Sequence, residues 1–570
     1  MPAPRRLVSS PPFPRFAPRG IRRAILFALV AGLIGRCAAA AAPSLVVVVV
    51  IDQLRADYLV RFREHFVPGG FNLLLTQGAV FTDCHFRHSI TKTASGHATM
   101  LTGVHANVHG IMANDWIDRT TLMRVNAVDD RSVQLVGAVP PRGGSRMPSI
   151  KAPVPSSPRG LLAPTVIDEF KLARGGRPRV IAIASKDRSA ILLGGKRGDA
   201  AYWMDEGRLI TSSYYMRELP AWVRAFNDRG QVDAYFGRTW DRLLPGAAYD
   251  SLQGPDDVEG ESPEFGLGRI FPKKMDGGAA TIGPAFYEAF ENTPFKSEVL
   301  VDFARAVVEN ENLGKRGVTD VLGVSFSAND SVGHNHGPDS HEVMDITLRT
   351  DRMLADFFKF LDARVGLKNC TIVLTADHGI APVPERLQRM HPGVSAGRVD
   401  NVRILKTCEA ALDRAFGPLG EGRHWIVADV NWLLFQRDVL AEKKVSQAAA
   451  EKVVRDALLT IDFIELSFTR TELEAGDVKG DYGAAALLSF NRALSGDVFY
   501  QLKPNWVDRK TGTNHGTPYP YDTHVPLMWF GVGVKPGTYP QRVGVDDLAP
   551  TLAQLLGIPA PPLSRGRVLF

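Results

Sequence analysis

A continuous β-branched run, LVVVVVI at residues 45–51, limits the fold more than any other stretch of this chain. Seven successive apolar residues present no polar face to water, so the run predicts a strand that is buried on both sides. Such strands are typical of parallel sheets that helices cover on both faces. The run ends at Asp52, and open α/β sheets bind ligands at the carboxyl ends of their strands. An aspartate here is also a common turn or cap residue, so Asp52 alone identifies no site.

Later apolar runs at residues 179–184, 321–326 and 370–375 predict further buried strands. Helical patterns at 165–173 and 297–310 alternate with these strands. This alternation predicts an α/β fold with a central, mostly parallel sheet that is flanked by helices.

Two regions interrupt the pattern. Residues 227–295 are rich in Gly, Pro and Asp, and we expect a loop-like insertion there. Residues 400–500 predict a small α+β cap over the sheet. We therefore expect one domain over residues 43–570 that carries both insertions. Its other predicted elements are a surface loop at 137–160, cap helices at 408–416 and 445–458, cap strands at 425–435 and 464–469, an edge strand at 525–532 and a closing helix at 546–556.

The first 42 residues have the order of a Sec-type signal peptide. Arg22 and Arg23 precede an apolar run at 24–35, and small residues at 38–42 offer cleavage sites. The apolar run is too short to favour a permanent membrane span. We expect a periplasmic or secreted protein with no stable membrane anchor after cleavage. An uncleaved N-terminal anchor is the alternative.

The net charge of +6 comes from this leader. Seven of the 67 basic residues lie in it without an acid, so the remaining chain has 60 basic against 61 acidic residues and a net charge of −1. A near-neutral mature chain gives no support to a nucleic-acid partner. Three cysteines remain after the leader, and they permit at most one disulfide: Cys84, Cys370 and Cys408.

Carboxylates and imidazoles recur at, or just beyond, the predicted strand ends. They are Asp52, Asp330, His334, Asp377, His378 and His515. Asp330 and His334 are four residues apart, so both leave the same face of a helical turn. Oxygen and nitrogen donors in this mixture suit Zn²⁺, with Mn²⁺ or Mg²⁺ less favoured. Six donors exceed one tetrahedral site but suit two ions, an arrangement that supports in-line phosphoryl displacement.

Two further pairs of residues carry polar or charged groups that could contact a ligand. Thr93 precedes a run of small residues that would open a helix, and a helix N-terminus attracts anions. Asn114 carries an amide that could donate to the same anion. Lys186 and Arg188 follow the predicted strand at 179–184. Taken singly, Thr93 is also typical of a helix cap and Asn114 of a turn. Lys186 and Arg188 are also typical of solvated loop charges.

In this combination the residues resemble the alkaline phosphatase superfamily. Within it they are most similar to the branch shared by nucleotide pyrophosphatase/phosphodiesterases and the PafA-type alkaline phosphatases. The order and spacing of the segments carry the resemblance across nearly the whole mature chain. These segments are VVVVVIDQLRADYL, TKTASGHATMLTG, HGIMANDW, SKDRSAILLGG, AYWMDEGRLITSSYY, FSANDSVGHNHGP, LTADHG and NHGTPYPYDTHVPLMWFG.

The resemblance implies two zinc ions. One would be held by Asp330, His334 and His515, and the other by Asp52, Asp377 and His378. The Thr93 oxygen would lie between them as the nucleophile and form a phosphothreonine, with Thr91 as a competitor. Asn114, Lys186 and Arg188 would bind the phosphoryl oxygens. Other histidines are expected to be structural: His97, His105, His109, His336 and His524.

The choice between monoester and diester substrates depends on two segments. Lys186 and Arg188 match the PafA-type monoesterases, because two cations favour the terminal oxygens of a phosphate dianion. The tripeptide Thr91-Lys92-Thr93 is instead common in the diesterases. We expect a zinc-dependent alkaline phosphatase acting on small-molecule phosphate monoesters, with a nucleotide pyrophosphatase/phosphodiesterase as the alternative.

Other functional interpretations fit the residues less well. A sulfatase would need a Cys or Ser nucleophile segment where this chain has Thr-Ala-Ser-Gly-His. Cofactor-independent phosphoglycerate mutases and phosphopentomutases share the metal pattern but are cytoplasmic, which disagrees with the leader. A non-catalytic phosphate-binding module is the alternative from outside the enzymes.

Overall fold

The computed structural model describes residues 42–139 and 153–570. The signal peptide predicted at 1–42 therefore lies outside the described residues, apart from its last position. The middle of the loop predicted at 137–160 lies outside them too. None of the helices in these two described ranges has the length and apolar character needed to cross a bilayer.

Most strands belong to a ten-stranded sheet and a separate four-stranded sheet. In chain order they are β1 (Leu45–Ile51), β2 (Ala79–Phe81), β3 (Leu135–Val136), β4 (Val180–Ala184), β5 (Ala200–Asp205), β6 (Arg208–Ser212), β7 (Asp320–Phe326), β8 (Cys370–Thr375), β9 (Ile426–Asp429), β10 (Trp432–Phe435), β11 (Ile464–Thr469), β12 (Val498–Leu502), β13 (Leu527–Gly531) and β14 (Gly537–Tyr539).

The large sheet has the order β14-β2-β13-β8-β1-β7-β4-β5-β6-β3. Its centre, β8-β1-β7-β4-β5, is parallel throughout. All seven residues of β1 are buried, as its apolar run predicts. The α/β fold with a mostly parallel central sheet is confirmed.

The strand predicted at the edge of the sheet is in fact internal. β13 lies between β8 and β2 and pairs with both in antiparallel fashion. The edge prediction is wrong because β2 and β14 cover this side of the sheet. Each of these covering strands has only three residues, too few to produce a clear alternation in the sequence.

Helices cover both faces of the large sheet. Those of seven residues or more in the described ranges are α1 (Phe71–Gln77), α2 (Thr93–Thr102), α3 (Val166–Ala173), α4 (Asp187–Gly194), α5 (Ala221–Asp228), α6 (Gly246–Gln253), α7 (Pro284–Glu291), α8 (Phe295–Asn310), α9 (Ala328–His336), α10 (His341–Arg364), α11 (Pro384–Met390), α12 (Asn401–Phe416), α13 (Gln447–Leu458), α14 (Gly480–Ser489) and α15 (Leu548–Leu555).

The insertion at 227–295 has more regular structure than its composition predicts. It contains α6, α7 and a two-stranded ribbon that pairs Thr239–Trp240 with Lys273–Lys274. Trp240 is fully buried, and its indole N–H donates to Asp345 Oδ2 at 2.7 Å. The insertion is thus ordered by contacts with α10, more than 100 residues away, which local sequence patterns do not reveal.

Residues 400–500 contain the antiparallel sheet β9-β10-β12-β11 with α12 and α13 packed against it. The single strand predicted at 425–435 is a hairpin, which turns at Asn431 with a φ of 60°. Asparagine tolerates this left-handed conformation, but one asparagine within an apolar run is a weak turn signal. The helix predicted from Cys408 begins earlier, at Asn401, where the Asp400 side chain accepts the backbone N–H groups of Val402 and Arg403.

Candidate active site

The central strands deliver three carboxylates and one ammonium group to one edge of the sheet. Asp377, Asp52, Asp330 and Lys186 follow β8, β1, β7 and β4, which are neighbours in that order. Parallel strands end on the same side, so four distant segments of the chain meet there. His515 is different, because it lies in the loop before β13 rather than at a strand end.

The six donor residues form two groups of three. In the first, the Asp330 triad, His334 Nε2 lies 3.2 Å and His515 Nε2 lies 3.6 Å from Asp330 Oδ1. The other group consists of Asp52, Asp377 and His378 and is called the Asp52 triad. His378 Nε2 lies 3.3 Å from Asp52 Oδ1 and 3.8 Å from Asp377 Oδ2. The His378 and His515 rings stack with their centroids 3.5 Å apart, so the two triads are adjacent.

Backbone carbonyls orient all three imidazoles. The Nδ1 atoms of His334, His378 and His515 lie 2.9, 2.9 and 2.7 Å from the carbonyl oxygens of Thr513, Gly379 and Thr91. A carbonyl can only accept, so each Nδ1 carries a proton, and Nε2 is the ring nitrogen that faces its triad. This is the arrangement that metal-binding histidines adopt.

The charge states of the triads also suit metal ions. Burial lowers the pKa of His378 and holds the pKa of His515 well below its ordinary value, which leaves both imidazoles neutral. Burial, together with the charges of Asp330 and Asp377, raises the pKa of Asp52. Asp52 Oδ1 and Asp377 Oδ2 have no hydrogen-bond partner among the described residues. Carboxylate oxygens buried in this way are expected to bind a cation.

Helix α2 brings a hydroxyl group to the triads. Thr93 is its first residue and is 1 % exposed, and Thr93 Oγ1 lies 3.4 Å from His378 Nε2. Gly96 allows this approach, because a Cβ there would lie 2.3 Å from the Asp377 carbonyl oxygen. The competing Thr91 hydroxyl instead donates to the Thr517 carbonyl at 3.0 Å. Of these two threonines, the geometry favours Thr93 as the nucleophile.

The other predicted phosphate-binding residues, Asn114, Lys186 and Arg188, lie in different parts of the site. Asn114 Oδ1 accepts the backbone N–H of Ala94 at 2.9 Å, which orients the side-chain amide beside the start of α2. The Lys186 ammonium donates to Asp52 Oδ2 at 2.6 Å and to Asp330 Oδ2 at 2.5 Å. Lys186 and Arg188 both line a cavity of about 640 Å³, to which Phe265 of the insertion also contributes.

A smaller cavity of about 280 Å³ adjoins the Asp330 triad. His515 and Lys92 line it from the sheet side, and Asn431 and Tyr500 line it from the side of the cap. Residues of both the 227–295 and the 400–500 regions therefore line cavities next to the triads.

His97 and Gln53 contact the triads but were not identified from the sequence as site residues. His97 Nδ1 lies 2.8 Å from the Thr93 carbonyl oxygen and 3.3 Å from Asp377 Oδ2. The Gln53 side-chain amide donates to Asp330 Oδ1, and the Gln53 backbone N–H donates to Asp377 Oδ1. In the sequence, only their positions connect these residues with the site. His97 follows Thr93 by one helical turn, and Gln53 directly follows Asp52.

The other histidines that were expected to be structural have other partners. His105, His109, His336 and His524 contact His88, Thr99, Glu261 and the Thr82 carbonyl, respectively. The three cysteines are free thiols, and all are buried.

Comparisons with known proteins agree with this geometry. Residues 46–401 match the family model of the type I phosphodiesterases/nucleotide pyrophosphatases. Alkaline phosphatase PhoV of Synechococcus elongatus is 33% identical over 93% of this chain and 92% of its own. Alkaline phosphatase PafA of Elizabethkingia meningoseptica is 33% identical over 94% of this chain and 95% of its own. The crystal structure of wild-type PafA superposes with a TM-score of 0.84, covering 93% of this chain and 99% of that one at 32% identity.

These relatives share both the fold and nearly the full length of the chain. This protein therefore belongs to the type I phosphodiesterase/nucleotide pyrophosphatase family of the alkaline phosphatase superfamily, and it is a phosphoric monoester hydrolase.

Proposed function

We propose that this protein is an exported, zinc-dependent alkaline phosphatase that hydrolyses small-molecule phosphate monoesters through a phosphothreonine at Thr93. The observation that carries the proposal is the placement of the Thr93 hydroxyl, at the start of α2, beside two adjacent triads of carboxylates and imidazoles. Membership of the superfamily implies divalent metal ions, and the donor set makes zinc the preferred one.

The two triads fit one Zn²⁺ each. The Asp330 triad offers one carboxylate and two imidazoles, and the Asp52 triad offers two carboxylates and one imidazole. Two bound Zn²⁺ ions would lower the pKa of the Thr93 hydroxyl and offset negative charge on the phosphoryl group.

The protein's own residues define the path of the phosphoryl group. Thr93 Oγ1 attacks phosphorus in line and releases its proton to water, and the bond from phosphorus to the ester oxygen breaks. The ester oxygen departs with that electron pair and takes a proton from water, which gives the free alcohol. Attack of water on the phosphothreonine releases inorganic phosphate and restores the Thr93 hydroxyl. Throughout, the partial positive charge at the start of α2 and the Asn114 amide stabilise the non-bridging oxygens.

Lys186 and Arg188 support a preference for monoesters. A monoester dianion has terminal oxygens that both cations can reach, whereas a diester has one of these positions covered by its second substituent. Phe265 in the larger cavity, and Asn431 and Tyr500 in the smaller one, suggest that the insertion and the cap contact the leaving group.

Export is proposed from the leader alone. Arg22-Arg23, the apolar run at 24–35 and the small residues at 38–42 support cleavage by signal peptidase. Sequencing the N-terminus of the exported protein tests this, and a mature chain that still begins before residue 36 would contradict it.

The activity is tested on purified, zinc-loaded protein with p-nitrophenyl phosphate and bis(p-nitrophenyl) phosphate. We expect faster turnover of the monoester, loss of activity in a chelator and recovery with Zn²⁺. Acid quenching with labelled substrate should trap phosphate on the wild type and on Thr91→Ala, but not on Thr93→Ala. Labelled Thr93→Ala would refute the nucleophile. Faster diester turnover would favour the pyrophosphatase/phosphodiesterase alternative, and binding of phosphate without turnover would indicate a non-catalytic module.

A further inference from the structure

Gln53 has a backbone conformation that glutamine rarely adopts. Its φ is 65°, in the left-handed region, and the residue is 3 % exposed. Such a conformation costs about 1 kcal/mol or more outside glycine and persists only where surrounding contacts hold it. Residues held in this way concentrate at functional sites. The contacts of Gln53 therefore indicate which role its backbone conformation has in the site.

Three connections join Gln53 to the two triads. It is the next residue after Asp52 in the chain. Its backbone N–H donates to Asp377 Oδ1 at 3.1 Å, and its side-chain Nε2 donates to Asp330 Oδ1 at 2.7 Å. Gln53 thus contacts a carboxylate of each triad while being covalently attached to the third carboxylate.

The neighbouring helix provides space for this side chain. Gly333 of α9 faces Gln53, and a Cβ at Gly333 would lie 1.7 Å from Gln53 Oε1. Any other residue at 333 would displace the amide from Asp330. The turn of α9 that carries Asp330 and His334 is therefore shaped around Gln53.

The two hydrogen bonds fix the orientation of the Asp377 and Asp330 carboxylates. Gln53 N–H occupies Asp377 Oδ1, so Asp377 Oδ2, the oxygen nearer to His378 Nε2, is the one presented to the Asp52 triad. At Asp330 the amide holds Oδ1 on the side of His334 and His515, while Lys186 binds Oδ2. An amide is a neutral donor, so it orients these carboxylates without cancelling the charge that attracts a metal ion.

We propose that Gln53 is a positioning residue that sets the placement of the Asp330 and Asp52 triads relative to each other, through its side chain on one and its left-handed backbone on the other. This inference rests on the proposed function, because it assumes that the triads bind the two metal ions.

Two variants separate the roles of side chain and backbone. Gln53→Gly removes the amide but adopts a φ of 65° without strain, so the N–H to Asp377 is retained. Gln53→Ala also removes the amide, but alanine is strained at this φ. Without the amide contact the turn can relax and move the backbone N–H away from Asp377. As matched controls, Asn312→Gly and Asn312→Ala make the same changes at an exposed residue with a φ of 51°.

The measurements are zinc bound per chain, zinc affinity by chelator competition, kcat and KM for p-nitrophenyl phosphate, and Tm. We expect Gln53→Gly to weaken one of two zinc sites by roughly 10–100-fold, and Gln53→Ala to weaken both, with kcat falling more than KM changes. The Asn312 variants should bind zinc as the wild type does.

Wild-type zinc affinity and kcat in both Gln53 variants would overturn the inference, as would a lower Tm with unchanged zinc affinity. If Gln53→Ala does not fold, Gln53→Gly decides alone, since its backbone is unstrained. A wild type that binds no zinc or lacks phosphatase activity would refute the proposed function instead, so the two failures are distinguishable.

Discussion

The Lys186 ammonium lies 2.5 Å from Asp330 Oδ2, although the two residues follow different strands and are 144 positions apart. Burial acts to lower the pKa of Lys186, but Asp330 and Asp52 outweigh it and raise the pKa, so the side chain stays protonated. Lys186 therefore links the two triads to the cavity that it lines with Arg188. Arg188 lines the cavity without contacting either triad in the hydrogen bonds observed between described residues.

The Lys186→Ala/Arg188→Ala double variant should lose monoester activity selectively. Each charged hydrogen bond to a dianion contributes about 1.5–3 kcal/mol, so we expect kcat/KM for p-nitrophenyl phosphate to fall by roughly two to four orders of magnitude. Turnover of bis(p-nitrophenyl) phosphate should change far less. Lys196→Ala with Arg197→Ala removes the same charges at the end of α4 and serves as the control. Equal losses on both substrates would rule out a role in selecting dianions.

Asn114 should contribute through its amide nitrogen. Its Oδ1 is already bound to the N–H of Ala94, so Asn114→Asp keeps that acceptor and replaces the NH₂ donor with an oxygen. We expect both Asn114→Ala and Asn114→Asp to lower kcat by roughly 10–1,000-fold, the aspartate more severely because its charge repels the phosphoryl oxygens. Steady-state kinetics and Tm on both variants check this. Wild-type kcat in Asn114→Asp would show that the amide nitrogen contributes nothing.

Zinc stoichiometry should depend on His515. Its Nε2 faces the Asp330 triad and its Nδ1 is held by the Thr91 carbonyl, so His515→Ala removes one of three donors from a single site. We expect bound zinc after dialysis to fall from two to about one per chain, with activity lost. Elemental analysis measures this, with His391→Ala, at an exposed position after α11, as the control. Two zinc ions retained by His515→Ala would remove it from the ligand set.

Stability should fall as the pH rises, because of Glu261 in the insertion. Burial, reinforced by the Glu342 carboxylate, raises the pKa of Glu261 to about 10, against an ordinary value of 4.5. The unfolded chain therefore loses this proton first. The contribution of Glu261 is complete below pH 4.5 and declines as the pH rises through about 10, by at most about 1.4 kcal/mol per pH unit.

Chemical unfolding of the wild type and Glu261→Gln between pH 6 and 9 tests this pH dependence. The variant should lose less free energy of unfolding over this range than the wild type. Glu264→Gln, at an exposed position in the same loop, should follow the wild type. Parallel curves for the wild type and Glu261→Gln would show that Glu261 is ionised in the folded protein.

Prediction from sequence succeeded where the signal is local and continuous. The run at 45–51 and the strand at 370–375 are strands with the expected bounds, because an apolar run of this length has few other ways to avoid water. It failed where distant contacts decide the structure. The insertion is ordered against α10, β13 is covered by two three-residue strands, and the run at 425–435 is broken into a hairpin at Asn431.

The candidate site divides in the same way. The sequence by itself determined which donors exist and that most of them follow strands of one parallel sheet, since side-chain chemistry and strand polarity are local properties. The family resemblance already implied how Asp330, Asp377 and His515 are grouped, whereas only the tertiary structure decided the distances between them and that Gln53 lies between the triads. Those relationships depend on strand order and on contacts between residues hundreds of positions apart, which no local pattern encodes.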